Sequence, residues 1–263
     1  MNALTVSLVQ MPITVGEVSQ NRERAYARVA EAARRGSDLV VLPELWASGY
    51  DLEHATQHAS PIDDGMFRTV AQWAHEFRLW LSGSLLERDG AAIYNTAYLA
   101  SPDGRIWATY RKMHLFRPMG EHRFLRAGDH PTVVELPWGT VGLSICYDVR
   151  FPELFRAYAL QGAHLVILPA EWPHPRLHHW RTLVQARAIE NALFVLACNR
   201  VGTSGDTHFV GHSMVVSPWG EVLVEGGEQD VILTTSIHLD EVEQSRSRIP
   251  VLQDRRSRYE VRR

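Results

Sequence analysis

The chain has 263 residues, of which 45% are hydrophobic and 22% are charged, and its formal net charge is −3. This composition can supply a substantial core, and the small negative charge gives no reason to expect nucleic acid or an acidic membrane surface as a partner. The sequence has no apolar run near the roughly 20 residues that span a bilayer. Its first residues predict a strand rather than a signal segment.

Strands and helices alternate in both halves of the chain, as the apolar runs and amphipathic segments predict. The first half predicts strand 4–10, helix 19–35, strand 38–43, helix 65–77, strand 79–86 and a hairpin over 95–110. The second half predicts strand 139–146, helix 152–161, strand 164–169, helix 178–191, strand 193–199 and a hairpin over 211–224, followed by a last strand near 231–237. No Gly/Ser/Pro-rich linker separates the halves, so we predict one domain, 1–263, with a C-terminal arm over about 240–263.

The two halves are similar to each other in sequence. Residues 37–44 (Ser-Asp-Leu-Val-Val-Leu-Pro-Glu) match residues 163–170 (Ala-His-Leu-Val-Ile-Leu-Pro-Ala), and each run follows a helical stretch that ends in glycine. A continuous apolar run of this kind is typical of a strand that is buried on both faces. We therefore predict an α/β fold with two sheets packed on each other and helices outside. A single doubly wound sheet is the alternative, and the hairpin that closes each half weighs against it.

The cysteines and histidines restrict the chemistry further. Cys146 and Cys198 are too few for a disulfide framework, which predicts a cytoplasmic location. The 13 histidines show no HExxH or other metal-ligand spacing, so we predict no metal site and no cofactor. The basic residues at 255–258 and 262–263 have acidic neighbours, and we expect a solvated or packed terminal arm there rather than a nucleic-acid contact.

Three reactive side chains follow predicted strands. Glu44 follows strand 38–43, Lys112 follows the hairpin strand, and Cys146 ends strand 139–146. Ligands of α/β folds bind beyond the carboxyl ends of strands, where these residues are predicted to lie. Each also has an ordinary structural role open to it. Cys146 could be a small buried hydrophobe, as we predict for Cys198; Lys112 could be solvated, and Glu44 could cap a following turn.

Together the three residue types form a reactive set. A nearby ammonium favours the thiolate form of a cysteine, so Lys112 is expected to activate Cys146. A carboxylate can remove the thiol proton and deliver it to a departing amine, and an ammonium with backbone N–H groups can stabilise an oxyanion. The alternatives are a cysteine–histidine hydrolase in which His114 activates Cys146, and a non-catalytic dimeric binding protein on the same fold.

At these same places the sequence resembles the nitrilase, or carbon–nitrogen hydrolase, superfamily. Its three signature blocks are similar to residues 42–44, 110–116 and 145–154, in the same order and at matching intervals. Further similarity extends the resemblance over essentially the whole chain, at 186–191, 198–200 and 211–213. The resemblance implies an αββα sandwich of two mixed sheets with pseudo-twofold internal symmetry, assembled as a homodimer or a larger homo-oligomer.

The resemblance also implies roles for particular residues. Cys146 is expected to be the nucleophile, Glu44 the general base and acid, and Lys112 the oxyanion stabiliser, with help from the backbone N–H of Tyr147. Glu121 matches a second glutamate of the family, which is expected to orient Lys112 or the substrate amide.

The substrate is expected to be a small amide, hydrolysed to a carboxylate and ammonia through a cysteine thioester. The chain is most similar to the omega-amidase-like branch, which acts on monoamides of dicarboxylates such as 2-oxoglutaramate; related branches act on deaminated glutathione, N-carbamoyl compounds or nitriles. A distal carboxylate needs a cation, for which Arg is suited because it binds carboxylates bidentately. The predicted cations are Arg117, Arg150 and Arg176, and the predicted pocket residues are Trp46, Tyr50, Glu171 and Trp172.

Overall fold

A computed structural model describes residues 3–256 of the chain, so the last part of the predicted C-terminal arm, 257–263, lies outside the described residues. The strands are β1 (Leu4–Gln10), β2 (Leu39–Val41), β3 (Trp80–Asp89), β4 (Ala92–Ala100), β5 (Ile106–Arg111), β6 (Thr132–Leu136), β7 (Gly139–Leu143), β8 (Leu165–Ala170), β9 (Phe194–Asn199), β10 (Val201–Ser204), β11 (Thr207–Val210), β12 (Met214–Val216), β13 (Val222–Glu225) and β14 (Val231–Ile237).

The α-helices are α1 (Val18–Arg34), α2 (Ala55–His58), α3 (Gly65–Phe77), α4 (Glu121–Phe124), α5 (Pro152–Leu160), α6 (Leu177–Asn191) and α7 (Asp240–Arg248). Short 3₁₀ turns cover Leu52–His54, Arg117–Met119, Cys146–Arg150 and His174–Arg176. None of the helices within residues 3–256 combines the length and apolar character that a membrane crossing requires.

Two six-stranded mixed sheets form the centre of the fold. The first has the order β14-β1-β2-β3-β4-β5 and the second has the order β6-β7-β8-β9-β12-β13. In both sheets the second, third and fourth strands run parallel and the outer neighbours pair antiparallel. The predicted duplication is thus confirmed, because β2 and β8 occupy equivalent third positions in different sheets. The alternative of a single doubly wound sheet is wrong.

The alternation of side chains along each strand separates two hydrophobic cores. In β2, Leu39 and Val41 pack into the core between the sheets, whereas Val40 packs under the helices outside the first sheet. Helix α3 faces this outer core because its buried side chains recur at helical spacing, namely Phe67, Val70, Ala71, Trp73 and Ala74. Cys198 on β9 touches the first sheet directly, with its sulfur 3.2 Å from the carbonyl oxygen of Val41. The layers are therefore helix, sheet, sheet and helix, as the sequence predicts.

The strand ends depart from the predicted boundaries, and the departures position the reactive residues. Strand 139–146 ends as β7 at Leu143, so Cys146 begins a 3₁₀ turn rather than ending a strand. Strand 38–43 is shortened to Leu39–Val41. Strand β3 is longer than predicted and pairs with β4 from Leu81 to Asp89, up to a turn at Gly90 with φ 58°. The small strands β6, β10 and β11 and helix α7 have no counterpart in the prediction.

Two chain segments approach each other closely at Gly128, beside Lys112, so we expect this position to tolerate a larger residue poorly. The N–H of Gly128 donates to the carbonyl of Lys112 at 2.9 Å, and a Cβ on Gly128 would lie 2.2 Å from the carbonyl oxygen of Arg111. We expect Gly128→Ala to lower the free energy of unfolding by about 1–3 kcal/mol, because the obstructing atom is backbone. Gly227→Ala is the control, since its added Cβ meets only the flexible end of Gln229. Equal unfolding free energies for the two variants in chemical denaturation would contradict this prediction.

Candidate active site

The reactive residues come from both sheets. Glu44 follows β2 and Lys112 follows β5 in the first sheet, whereas Cys146 follows β7 in the second. The three side chains are buried, with exposed fractions of 0%, 0% and 5%. This arrangement places the three residues together at one end of the sandwich.

The turn that carries Cys146 has a strained backbone. Cys146 has a φ of 45°, a left-handed conformation that costs energy for a residue with a Cβ. The buried carboxylate of Asp148 holds the turn, because its Oδ2 accepts the N–H of Ile145 and the hydroxyl of Tyr110, each at 2.9 Å. Tyr110 lies on β5, so Asp148 ties the cysteine turn to the strand that leads to Lys112.

The other oxygen of Asp148 holds His114. Oδ1 of Asp148 lies 2.7 Å from Nδ1 of His114, and the imidazole stacks on Phe151 with 3.6 Å between ring centroids. His114 is thus a support of the cysteine turn. The geometry gives no support to the alternative in which His114 activates Cys146.

A buried cluster of charges surrounds Lys112. Its Nζ lies 2.8 Å from Oε1 of Glu44 and 2.7 Å from Oε1 of Glu121, and all three side chains are fully buried. Burial opposes the charge on Lys112, but the adjacent carboxylates of Glu121 and Glu44 outweigh it and raise the pKa of Lys112 above its usual value. Lys112 is therefore an ammonium held at a fixed place between two carboxylates.

Further donors fix the orientation of Glu44. Its Oε1 accepts from Nδ2 of Asn95 and from the hydroxyl of Tyr50, both at 2.8 Å, and its Oε2 accepts the backbone N–H of Glu171 at 2.8 Å. The Tyr50 hydroxyl also lies 2.8 Å from Glu121. Burial, followed by the charges of Glu121 and Glu44, raises the pKa of Tyr50 well above its usual value, so the hydroxyl keeps its proton.

Lys112 favours the thiolate of Cys146, as expected, but other effects outweigh it in the resting site. Burial raises the pKa of the Cys146 thiol well above its usual value, the charge of Glu44 raises it further, and Lys112 opposes this without reversing it. The charges of Glu44 and Glu121 act on the sulfur in the opposite direction to that of Lys112. A nucleophilic sulfur therefore requires removal of its proton during the attack, and Glu44 is the adjacent base.

A narrow cavity of about 10 Å³, which has room for about one water molecule, opens onto Cys146. Two guanidinium groups contribute to its wall: that of Arg150 lies 4.8 Å from the ring centre of Trp172, and that of Arg176 lies 5.4 Å from the ring centre of Phe116. The complete lining is Phe116, Cys146, Tyr147, Arg150, Glu171, Trp172, Pro173 and Arg176. The third predicted cation, Arg117, is exposed on the turn Arg117–Met119 and does not line this cavity.

The prediction for Trp46 needs correction. Trp46 is fully buried in the core outside the first sheet, where its ring lies 5.7 Å from that of Trp73 and its Nε1 donates to the hydroxyl of Tyr98 at 3.1 Å. The chain turns sharply after Glu44, since Leu45 has a φ of 42°, and Trp46 follows on the helix side of the sheet. The predicted tryptophan that does line the cavity is Trp172, whose Nε1 donates to the carbonyl of Arg176 at 2.8 Å.

The sequence reasoning overlooked Arg200, although residues 198–200 belong to the resemblance. Arg200 is fully buried, and its Nη1 donates to Oε2 of Glu171 at 2.9 Å and to Ser204 at 3.0 Å. Burial raises the pKa of Glu171 to about 7, because the lowering effect of Arg200 is smaller and Glu44 adds to the rise. Asn95 was also overlooked, because an asparagine at the start of a hairpin is an ordinary turn residue.

The described part of the chain offers no recognisable set of metal ligands. Among residues 3–256, no group of three or more His, Cys, Asp or Glu side chains is arranged to hold a metal ion. The arrangement around Cys146 instead provides a thiol, a carboxylate and an ammonium, which suit nucleophilic attack on a carbonyl carbon.

Comparison with known proteins agrees with this chemistry. The carbon-nitrogen hydrolase family model matches residues 5–247. A 2-oxoglutaramate amidase from Bacillus subtilis (strain 168) is 41% identical over 256 residues, covering 95% of this chain and 96% of the relative. An omega-amidase from Homo sapiens is 34% identical over 269 residues, covering 98% of this chain and 96% of the relative.

Solved structures show the same similarity. A CN-hydrolase superfamily protein from Xanthomonas campestris, with an arsenic adduct in its active site, has a TM-score of 0.92 and 33% identity, covering 99% of this chain and 100% of that chain. A mutant amidase from Nesterenkonia sp. AN1 carries the acetamide moiety of fluoroacetamide, added covalently at its active-site cysteine. It has a TM-score of 0.86 and 28% identity, covering 97% of this chain and 94% of that chain. Because sequence and fold agree over nearly the whole length, this chain belongs to the carbon–nitrogen hydrolase family of the nitrilase superfamily.

Proposed function

We propose that the protein hydrolyses the carbon–nitrogen bond of a small amide to a carboxylate and ammonia, through a thioester on Cys146. The observation that carries this proposal is the buried Lys112 ammonium held between Glu44 and Glu121 beside a cavity that opens onto Cys146. A non-catalytic binding protein would have no need to keep this costly group of buried charges beside a thiol.

The first half of the reaction forms the thioester. Glu44 accepts the thiol proton while the sulfur of Cys146 attacks the amide carbon, and the carbonyl oxygen becomes an oxyanion. Lys112 stabilises that oxyanion together with the backbone N–H of Tyr147, which lies in the first turn of Cys146–Arg150, where N–H groups have no intrahelical partner. Glu44 then gives its proton to the amide nitrogen, the carbon–nitrogen bond breaks, and ammonia leaves.

The second half reverses the proton transfers with water. Glu44 removes a proton from a water molecule as its oxygen attacks the thioester carbon, and the carbon–sulfur bond breaks to give the carboxylic acid. The proton returns to the sulfur, so the resting thiol is restored. Glu121 and Tyr50 keep Lys112 and Glu44 oriented throughout. Tyr50 contacts both Lys112 and Glu44, and Glu121 contacts Lys112 and Tyr50.

The substrate class follows from the cavity wall. Arg150 and Arg176 line the cavity, and within residues 3–256 neither forms an ion pair with a carboxylate. Arg150 does contact Nδ1 of His179 at 3.1 Å. Two guanidinium groups without a carboxylate partner suit the distal carboxylate of an omega-amide of a dicarboxylate, such as 2-oxoglutaramate. The names of the relatives from Bacillus subtilis and Homo sapiens support the same choice. Deaminated glutathione, N-carbamoyl compounds and nitriles are the alternative substrates within the superfamily.

The proposal also covers the location and the assembly of the enzyme. We infer one catalytic domain over 1–263 that works in the cytoplasm, where the free thiol of Cys146 stays reduced. A homodimer or larger homo-oligomer is supported by exposed apolar side chains around the outer helices of the second sheet, namely Leu160, Ile189 and Trp219. Light scattering of the purified protein tests the assembly.

Removal of the nucleophile tests the proposed function most directly. We expect Cys146→Ala to lower kcat for ammonia release from 2-oxoglutaramate by roughly 10⁴-fold or more, because the covalent route is lost. Cys198→Ala is the control: it removes the other buried thiol, which lies between the sheets away from the cavity, and should keep most of kcat. Near-normal turnover by Cys146→Ala would overturn the mechanism.

Alkylation distinguishes the two buried cysteines. Burial raises the thiol pKa of both, but only Cys146 lines a cavity. Limiting iodoacetamide should therefore label Cys146 well before Cys198, because reactivity depends on access as well as on thiolate fraction. Peptide mass spectrometry measures both rates. Equal labelling of the two cysteines in the folded protein would count against the assignment of Cys146 as the nucleophile.

Substitution of the cavity arginines tests the substrate class. Arg150→Leu and Arg176→Leu should each reduce kcat/KM for 2-oxoglutaramate about 10- to 100-fold, since each removes a charge-assisted hydrogen bond. Hydrolysis of butanamide, which has no distal carboxylate, should change little. Arg117→Leu is the matched control because Arg117 is exposed outside the cavity. Equal losses for both substrates would mean that the arginines shape the pocket without binding a carboxylate.

A further inference from the structure

A buried carboxylate oxygen in the cavity wall has no role in the mechanism above. Glu171 is 1% exposed and lines the cavity that opens onto Cys146. Its Oε2 accepts from Arg200 at 2.9 Å, whereas none of the residues in the described part of the chain donates a hydrogen bond to its Oε1. A buried acceptor without a donor is unfavourable, and such groups in native proteins mark places where a partner arrives.

The position of this oxygen is fixed by its surroundings. The backbone N–H of Glu171 donates to Oε2 of Glu44, so Glu171 lies directly beside the proposed general base. Arg200 holds the other end of the side chain. Arg200 in turn is fixed by donating to the carbonyl of Ile13 at 2.6 Å and by lying 4.4 Å from the ring centre of Phe209. Such a preorganised acceptor can discriminate between ligands, because it cannot move to find another donor.

The missing partner must be a hydrogen-bond donor that enters with the substrate. In the proposed reaction the carbonyl oxygen faces Lys112, so the group that arrives beside Glu44 is the amide nitrogen, which carries two N–H donors. We propose that Oε1 of Glu171 accepts an N–H from the substrate's amide nitrogen and thereby selects primary amides over acyl donors that lack an N–H, such as esters and nitriles. This inference rests on the proposed function and makes Glu171 a specificity-determining residue of that site.

The physical basis of the selection is the cost of leaving a buried hydrogen-bond acceptor without a donor. A site built to accept an N–H rejects an analogue without one strongly, since the acceptor then stays buried and unpaired. A rearranged side chain of Arg150 or Arg176, which line the same cavity, is the competing donor for Oε1. That arrangement would support the pocket but would not distinguish an amide from an ester.

The ionisation of Glu171 adds a second, independent signature. Its pKa is raised to about 7 by burial, with Arg200 lowering it and Glu44 raising it. Above pH 7 the ionised Oε1 is an acceptor for the amide; below pH 7 a proton on Oε1 makes it a donor, which repels an N–H. The preference for the amide should therefore rise with pH through about 7. The titratable or charged groups that surround Glu171 are Glu44, Lys112, Cys146, Tyr147, Arg150, Arg176 and Arg200.

The test compares glutaramate with monomethyl glutarate, which share the acyl group and the distal carboxylate. In Glu171→Gln the amide oxygen keeps the bond from Arg200, so the NH₂ group takes the place of Oε1 and a donor replaces the acceptor. We expect kcat/KM for glutaramate to fall about 10- to 100-fold while that for the ester changes less than about threefold. The rise of the amide-to-ester ratio with pH should disappear. Glu171→Leu offers neither an acceptor nor a donor, and it should lower the amide-to-ester ratio of kcat/KM to a similar extent.

Controls separate this inference from the function on which it rests. Glu135→Gln, an exposed glutamate on β6, should leave both rates and the pH profile unchanged. Calorimetric binding in a Cys146→Ala background makes the same comparison without turnover, so slow ester hydrolysis does not obscure it. A parallel loss of amide and ester in every Glu171 variant would overturn the role of Glu171 while leaving the hydrolase intact. Absence of amide hydrolysis by the unaltered protein would instead overturn the proposed function.

Discussion

The buried pairing of Lys112 with Glu44 and Glu121 is the interaction on which the rest of the site depends. An ammonium with no exposed surface is tolerated only where opposite charges and hydrogen bonds replace its water. The fold meets this requirement from several directions, since Glu44 comes from β2, Lys112 from β5 and Glu121 from the short helix α4. Asn95 and Tyr50 complete the hydrogen bonds of Glu44. Loss of one partner would leave an uncompensated charge, so the cluster functions only as a whole.

This pairing also decides how the sulfur becomes reactive. The pKa of Cys146 is raised by burial and by Glu44, and the lowering effect of Lys112 does not reverse this. In the proposed mechanism, the same carboxylate that raises the thiol pKa is the base that removes its proton when a substrate arrives. Lys112 then acts mainly on the oxyanion, where new negative charge develops. A neutral thiol in the resting site is also less exposed to chance alkylation or oxidation.

The sequence predicted those parts of the structure that depend on local patterns. Apolar runs closed by proline gave the central strands, and the repeat of residues 37–44 at 163–170 gave the two equivalent sheets. Glu44, Lys112 and Cys146 were found because they differ in chemistry from the strands that they follow. Features set by the packing of distant segments could not be read in this way. The direction taken by Trp46 depends on the positive φ of Leu45, and the contact of Arg200 with Glu171 joins residues that follow neighbouring strands.

For a related reason, the sequence predicted the effect of Lys112 on Cys146 but not the burial and the Glu44 charge that outweigh it. Sequence shows which charged residues exist, but the pKa of a thiol depends on burial and on how far each charge is already compensated. Only the three-dimensional structure shows that Lys112 contacts Glu121 as well as Glu44, and that the two oxygens of Asp148 bind the cysteine turn and His114.

Because the site is assembled from both sheets, catalysis depends on how the two sheets are aligned with each other. Glu44 and Lys112 move with the first sheet, and Cys146 and Glu171 move with the second. A slip of one sheet against the other by about 1 Å would separate base from nucleophile, a misalignment that is sufficient to cost about 10²-fold in rate. Turnover therefore reports on the registry of the two sheets more sensitively than spectroscopic measures of secondary structure do. Neither repeat alone could sustain the reaction, even if it kept every strand it contains.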